Sequence, residues 1–272
     1  MAAFVEQDLT FEGHRVHCWE GGEGYPLLLL HGTGPGTSTT GNFLRLMPRL
    51  AERCRVLAAD LIGFGLSGRK TAPPYFDFAL WLRQAKFLLA RLPPGPVGVF
   101  GHSLSGALAL RLAADDPRVA KVLTTGAVGT RFPVPPELAT IWTYPETRDD
   151  LRRAIECLVY DRSIVTDAFV DSRLAALRDD PTYAAYFRGM FGGDKQALVD
   201  SAAIAPADLG RIAADVAMIH GRDDRPVPAR LTTLVLAEAI PRVDVTIIGR
   251  CGHSPSLEHP DKVLAQARLL FG

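Results

Sequence analysis

The 272-residue sequence predicts an α/β fold: a mostly parallel central sheet flanked by helices, with a helical lid inserted into it. Three observations carry this. Short runs rich in Val, Ile and Leu alternate with helical periods, which is the pattern of βα units. The runs are continuously apolar, as suits strands covered on both faces. The alternation then stops, and helices follow one another without strands between them. The expected division is a core over residues 1–129, a lid over 130–208 and the remainder of the core over 209–272.

In chain order, "HRVHCWEGG" (His14 to Gly22) alternates like an antiparallel opening strand. "YPLLLLHG" and "RVLAADL" read as buried strands, "FALWLRQAKFLLARL" as a helix and "VGVFG" as the next strand. "GALALRLAADDP" is a helix ended by Pro117, and "VAKVLTTGA" returns to a strand. After Gly129, "TRFPVPPELATIWTYPETRDD" is rich in proline and turn residues. Three helical stretches follow: "DLRRAIECLVYD", "TDAFVDSRLAALRDDP" and "TYAAYFRGMF". Strands resume at "DVAMIHG" (Asp215 to Gly221) and "RVDVTIIG" (Arg242 to Gly249).

Lys and Arg number 30 and Asp and Glu number 30, so the net charge is zero. With no basic run either, the chain offers no electrostatic footprint for nucleic acid or an anionic membrane, and a small-molecule substrate or a protein partner is expected instead. "MAAFVEQDLTFEGH" lacks the basic segment and long apolar stretch of a signal peptide. No apolar run approaches the ~18 residues of a membrane span. Cys18, Cys54, Cys157 and Cys251 are scattered and form no CxxC pair. They read as reduced packing thiols of a cytoplasmic protein rather than disulfides or zinc ligands. The histidines form no HExxH pair, and neither GxxxxGK[ST] nor GxGxxG opens a helix after the first strand, so no metal or cofactor is expected. Association, if any, is expected to be as a homodimer.

The chemistry gathers at the carboxyl ends of the strands, where sites collect in open α/β sheets. "VFGHSLSGALAL" holds two serines in a small-residue frame. A nucleophile elbow puts its serine at the apex of a sharp strand-to-helix turn, where larger neighbours would collide. The strand ends at Phe100, so Ser103 takes the apex and Ser105 falls in the first helical turn. A serine hydroxyl needs a base, and the base needs an orienting group. The order Ser, acid, His is found here as Ser103, Asp224 in "GRDDRPVP" and His253 in "RCGHSPSLEHP". Asp224 is preferred to Asp223 because it stands at the bend. "HGTGPGTSTTGNF" follows a strand, and its glycines let backbone N–H groups face a developing oxyanion. The expected donors are the N–H groups of Thr33 and Leu104, with Gly32 and Gly34 beside the substrate.

Together these segments resemble the α/β-hydrolase fold, and within it the meta-cleavage product hydrolases, which cut carbon–carbon bonds in ring-opened aromatic catabolites. "HGTGPGTSTTGNF", including Asn42, is similar to that family's HGxGPG…(S/A)N(F/Y/W) stretch. "LVYDRSIVTDAFVDSRLAAL" (Leu158 to Leu177) is similar to its lid pattern. The resemblance implies a 2-hydroxy-6-oxo-dienoate substrate, a lid arginine at Arg173 for its carboxylate, and Asn42 at its oxygenated end. It also implies ketonisation of the dienol, attack by serine or water on the distal ketone, and release of a carboxylic acid and a hydroxydienoate.

Two positions depart from the family. His102 stands where asparagine is usual before the serine, and Ser254 where tryptophan follows the base. Both are expected to line the substrate, with His102 packing rather than reacting, because neighbours at an elbow point in different directions. The rival readings are a carboxylesterase or lactonase with the same triad, and a ligand-binding protein of hydrolase fold without turnover.

Overall fold

The structure, a computed structural model, describes residues 3–272. Its strands are β1 (Phe4–Phe11), β2 (His14–Gly21), β3 (Tyr25–Leu30), β4 (Cys54–Ala59), β5 (Val97–His102), β6 (Val119–Thr125), β7 (Asp215–Gly221) and β8 (Val243–Ile248). They form one sheet in the order β1-β2-β4-β3-β5-β6-β7-β8. The β1–β2 and β2–β4 pairs are antiparallel, and every later pair is parallel.

The four consecutive leucines of β3 show why its run is unbroken. Side chains alternate across a strand. Leu27 and Leu29 pack on one face with Phe43, Phe100 and Phe271. Leu28 and Leu30 pack on the other with Val99, Leu108 and Val122. Both faces are covered by helices, so neither set has a polar alternate.

The sequence reading began the sheet at His14, and β1 precedes it. The two strands join through Glu12 and Gly13, both at positive φ (47° and 77°), between the paired residues Phe11 and His14. That is the backbone a two-residue hairpin requires. β1 is an edge strand carrying Glu6 and Asp8, with no fully buried position, and its apolar alternation is correspondingly faint.

Between β6 and β7 come helices Pro136–Ile141, Arg148–Cys157, Asp167–Arg178, Tyr183–Phe191, Lys195–Ser201 and Pro206–Leu209. The first lies in the proline-rich stretch read as turns. Pro136 occupies its first helical position, where a missing N–H removes no intrahelical bond. Arg148–Cys157 starts on a Thr147/Asp150 capping box, and Thr166 caps Asp167–Arg178. Trp142, Phe187 and Phe191 form an aromatic seam that reaches Phe76 and, through it, Trp81, seating the insertion on the sheet layer. Among the described residues, no helix is long and apolar enough to cross a membrane. All four cysteines are unpaired.

Candidate active site

Ser103 follows β5 directly and precedes helix Leu104–Asp115, with φ at +57°. A non-glycine residue held there is strained and persists only where its surroundings dictate it. Two glycines permit the turn. A Cβ on Gly101 would run into the Ser105 carbonyl, and one on Gly106 would come within 2.6 Å of Ala127 Cβ. Ser105 is fully buried, and its hydroxyl donates to the His31 carbonyl, so it braces the elbow against β3.

The loops after β7 and β8 touch at Gly221, where a Cβ would strike the Gly252 carbonyl. That contact brings three side chains into line. Ser103 Oγ donates to His253 Nε2 (2.9 Å), and His253 Nδ1 donates to Asp224 Oδ2 (2.7 Å). All three are buried. Asp224 Oδ1 accepts the Val227 N–H at 2.8 Å. Asp223, by contrast, turns to the surface and caps the Arg250 N–H.

The sequence reading missed His220. Its Nε2 lies 2.9 Å from Asp224 Oδ2 and 2.7 Å from the Val227 carbonyl, both acceptors, so Nε2 bears the proton. Its Nδ1 then accepts from Thr233 Oγ1 at 2.7 Å. Burial alone would raise the Asp224 pKa. The positive charge that His253 can carry, with hydrogen bonds from His220 and His253, outweighs burial and holds it at about 2. Glu258, also missed, accepts the Gly252 N–H at 2.7 Å and the Tyr160 N–H at 2.7 Å, tying the His253 loop to the insertion.

A cavity of about 80 Å³ opens beside these residues, with Thr33, Asn42, His102, Arg173, His253 and Ser254 on its wall. Gly32 lies there too: a Cβ would come within 2.9 Å of His102 Cδ2 and 3.0 Å of Ser103 Cβ, so the site needs glycine. The N–H groups of Thr33 and Leu104 donate to no protein acceptor among the described residues. Asn42 Oδ1 accepts the Gly32 N–H at 2.8 Å, which leaves its amide NH₂ free. A Cβ on Gly34 would meet Thr37 Oγ1 at 3.2 Å and the Ile141 Cγ2 methyl at 3.5 Å.

Arg173, on helix Asp167–Arg178, lies against Gly41 and over the Phe169 ring, 5.4 Å from its centroid. No carboxylate among the described residues pairs with it, and burial lowers its pKa from the ordinary arginine value. An unpaired, desolvated guanidinium on a cavity wall is a site for an anion. Among the described residues, no group of three or more His, Cys, Asp or Glu could hold a metal ion.

A hydroxyl hydrogen-bonded to an imidazole, which is in turn held by a buried carboxylate, can attack a carbonyl carbon. Comparison with known proteins agrees with that chemistry. The pattern of the alpha/beta hydrolase family matches residues 27–267. The 2-hydroxymuconate semialdehyde hydrolase of Pseudomonas sp. (strain CF600) is 33% identical over 94% of this chain and 89% of its own. The 2-hydroxy-6-oxo-2,4-heptadienoate hydrolase of Pseudomonas putida is 34% identical over 87% of this chain and 85% of its own. Among solved structures, a mutant of the meta-cleavage product hydrolase from Pseudomonas fluorescens IP01, complexed with acetates, superposes with a TM-score of 0.90. It is 31% identical, covering 96% of this chain and 95% of that one. The eight-stranded sheet with its helical insertion is thus the α/β-hydrolase fold, and this chain belongs to the alpha/beta hydrolase family, with its similarity running to the meta-cleavage product hydrolases.

Proposed function

We propose that this protein is a cytoplasmic hydrolase that cleaves the carbon–carbon bond next to the distal ketone of a 2-hydroxy-6-oxo-2,4-dienoate. The observation that carries the reading is the unpaired Arg173 guanidinium, which shares one cavity with His253, the middle member of the Ser103–His253–Asp224 chain. The substrate carboxylate sits on Arg173 and the amide NH₂ of Asn42. The 6-oxo carbon lies against Ser103.

After the dienol ketonises, Ser103 Oγ attacks the 6-oxo carbon and His253 Nε2 takes its proton. Asp224 stabilises the imidazolium, and His220 keeps Asp224 ionised and aligned. The oxyanion is held by the free N–H groups of Thr33 and Leu104. When the C–C bond breaks, its electron pair passes into the conjugated 2-oxo acid, and the dienolate so formed takes the proton held by His253 and leaves as a 2-hydroxydienoate. Water then hydrolyses the acyl-serine, with His253 as base, and releases a carboxylic acid.

The test is a panel of 2-hydroxy-6-oxodienoates set against short nitrophenyl esters. Turnover dominated by the dienoates and abolished in Ser103→Ala is expected. Faster turnover of plain esters would favour an esterase, and no turnover together with an inert Ser103 would favour a binding protein.

A further inference from the structure

Two surface grooves border the inner cavity. One, of about 680 Å³, shares Gly41, Asn42, Phe169, Arg173, Ser256 and Leu257 with it. The other, of about 670 Å³, shares only Thr37. Their charges differ in sign balance. The charged residues lining the first are Arg45 and Arg173, with no acid beside them. The second carries Arg15 and Arg69 together with Asp60, Asp179 and Asp180, and Asp180 pairs with Arg69. An anion is therefore drawn to the first groove and not to the second.

Arg173 marks where the first groove meets the cavity. A Cβ on Gly36, which borders the groove but not the cavity, would stand 3.4 Å from Arg173 Cγ. One on Gly41, which borders both, would stand 3.4 Å from Arg173 Nη2. The stem thus runs beside the groove and the guanidinium ends at the junction. Ser256 is buried on the same shared wall, and its hydroxyl makes no hydrogen bond to any described residue. Further out, Arg45 sits between helices Thr39–Phe43 and Met47–Leu50. It is exposed and pairs with no carboxylate among the described residues, whereas Arg49 on the second of those helices pairs with Glu52 at 3.1 Å. Leu44, 65% exposed, joins Ile164, Phe169 and Leu257 in giving the groove an apolar strip. Cations beside such a strip suit a small acid with a hydrocarbon body.

We propose that this groove is the entrance used by the substrate and that Arg45 is a steering residue, which takes the carboxylate from solvent before Arg173 does. This rests on the reading of Arg173 as the carboxylate site. The two arginines differ in the way a relay needs. Arg45 is hydrated, so it attracts an anion and holds it weakly. Arg173 is partly desolvated, so its hydrogen bonds to the same anion are stronger. The carboxylate passes inward from one to the other, with the Ser256 hydroxyl free to donate to it at the junction.

The experiment follows, by stopped flow, the binding of 2-hydroxy-6-oxohepta-2,4-dienoate to the Ser103→Ala protein, read from the dienoate chromophore. Adding Arg45→Gln lowers the association rate constant about three- to fivefold at about 0.1 M salt, the worth of one contact between unit charges in water. At about 1 M salt, where screening acts over about 3 Å, the two proteins associate alike. Adding Arg49→Gln instead removes the same charge outside the groove and leaves association near the parent value. Adding Ser172→Trp narrows the groove from an exposed position; association and dissociation slow together and the dissociation constant stays the same. Unchanged association in Arg45→Gln, or equal slowing in Arg45→Gln and Arg49→Gln, overturns the steering role. Parent rates in both directions for Ser172→Trp overturn the entrance. If the dienoate does not bind Ser103→Ala at all, the reading of Arg173 falls and takes this inference with it. Binding whose rates ignore both Arg45 and Ser172 defeats this inference alone. All three substituted positions are exposed, so the fold is kept in each variant.

Discussion

Replacing Arg173 with alanine separates recognition of the substrate from the chemistry at Ser103. In the proposed complex its guanidinium meets the substrate carboxylate in a partly dry cavity, and truncation strands that carboxylate without its partner, a loss of ~2–5 kcal/mol for a well-buried pair. Arg173 also lines an outer groove with Thr166 and Ser172, so water reaches it from one side and the lower half of the range applies. That corresponds to roughly a hundredfold loss in kcat/KM on dienoates. Because the same contact aligns the 6-oxo carbon with Ser103, kcat and KM both suffer. A short neutral ester has no carboxylate to lose and should be hydrolysed at nearly the parent rate. Stability supplies an independent check: Arg173 is half-buried and has no carboxylate partner among the described residues, so removing it relieves a partly desolvated, uncompensated charge, and the melting temperature should hold or rise. The assay follows loss of the dienoate chromophore and release of nitrophenol on the same preparations. Equal losses on both substrates with a lowered melting temperature would refute the reasoning and make Arg173 a structural residue.

Ser103→Ala should abolish turnover with the melting temperature preserved; residual dienoate cleavage near the parent rate would remove Ser103 from the mechanism. Ser105→Ala loses one buried hydrogen bond to the His31 carbonyl, costing about 1 kcal/mol in chemical denaturation while activity stays near normal. Asp224 has its pKa lowered to about 2 from an ordinary 3.8, so its contribution is complete above pH 3.8 and is lost as pH falls through 2. Denaturant titrations of Asp224→Asn against the parent should show a gap of about 2 kcal/mol that closes over that window. His102, whose pKa falls from 6.5 to about 3, binds its proton far more readily once unfolded. Stability should therefore decline below pH 6.5 by about 1.4 kcal/mol per pH unit, and His102→Leu should flatten that slope.

What the sequence made legible were features imposed by backbone geometry. The elbow demands small residues because Gly101 and Gly106 face Ser105 and Ala127 at contact distance, and that demand is written in the local string. The acid and base loops were found by chain order, and Asp224 was separated from Asp223 by its place at the bend after β7. His220 was hidden because it ends an apolar run in which a buried histidine has no distinguishing pattern; only its meeting with Asp224 and Val227 gives it a role. β1 and helix Pro136–Ile141 escaped because an edge strand carries little apolar periodicity and a proline-rich run reads as turn, whatever helix it begins.

The sheet and the insertion divide the work at this site. Ser103, Asp224 and His253 all come from loops of the sheet, and their hydrogen bonds need nothing from the inserted helices. Arg173 comes from the insertion. The two parts are joined by backbone contacts that carry no chemistry: Glu258 accepts the Tyr160 N–H, Ser254 N–H donates to the Leu158 carbonyl, and the Gly36 N–H donates to Tyr183 Oη at 3.1 Å. Arg69 adds an ion pair to Asp180 and a hydrogen bond to Thr182. Under the proposed function, a substitution in helix Asp167–Arg178 would therefore change which acid is held without moving the serine, whereas a change at Gly221 or Gly252 would displace the base itself. Under the proposed function, then, the insertion decides the substrate and the sheet carries the reaction.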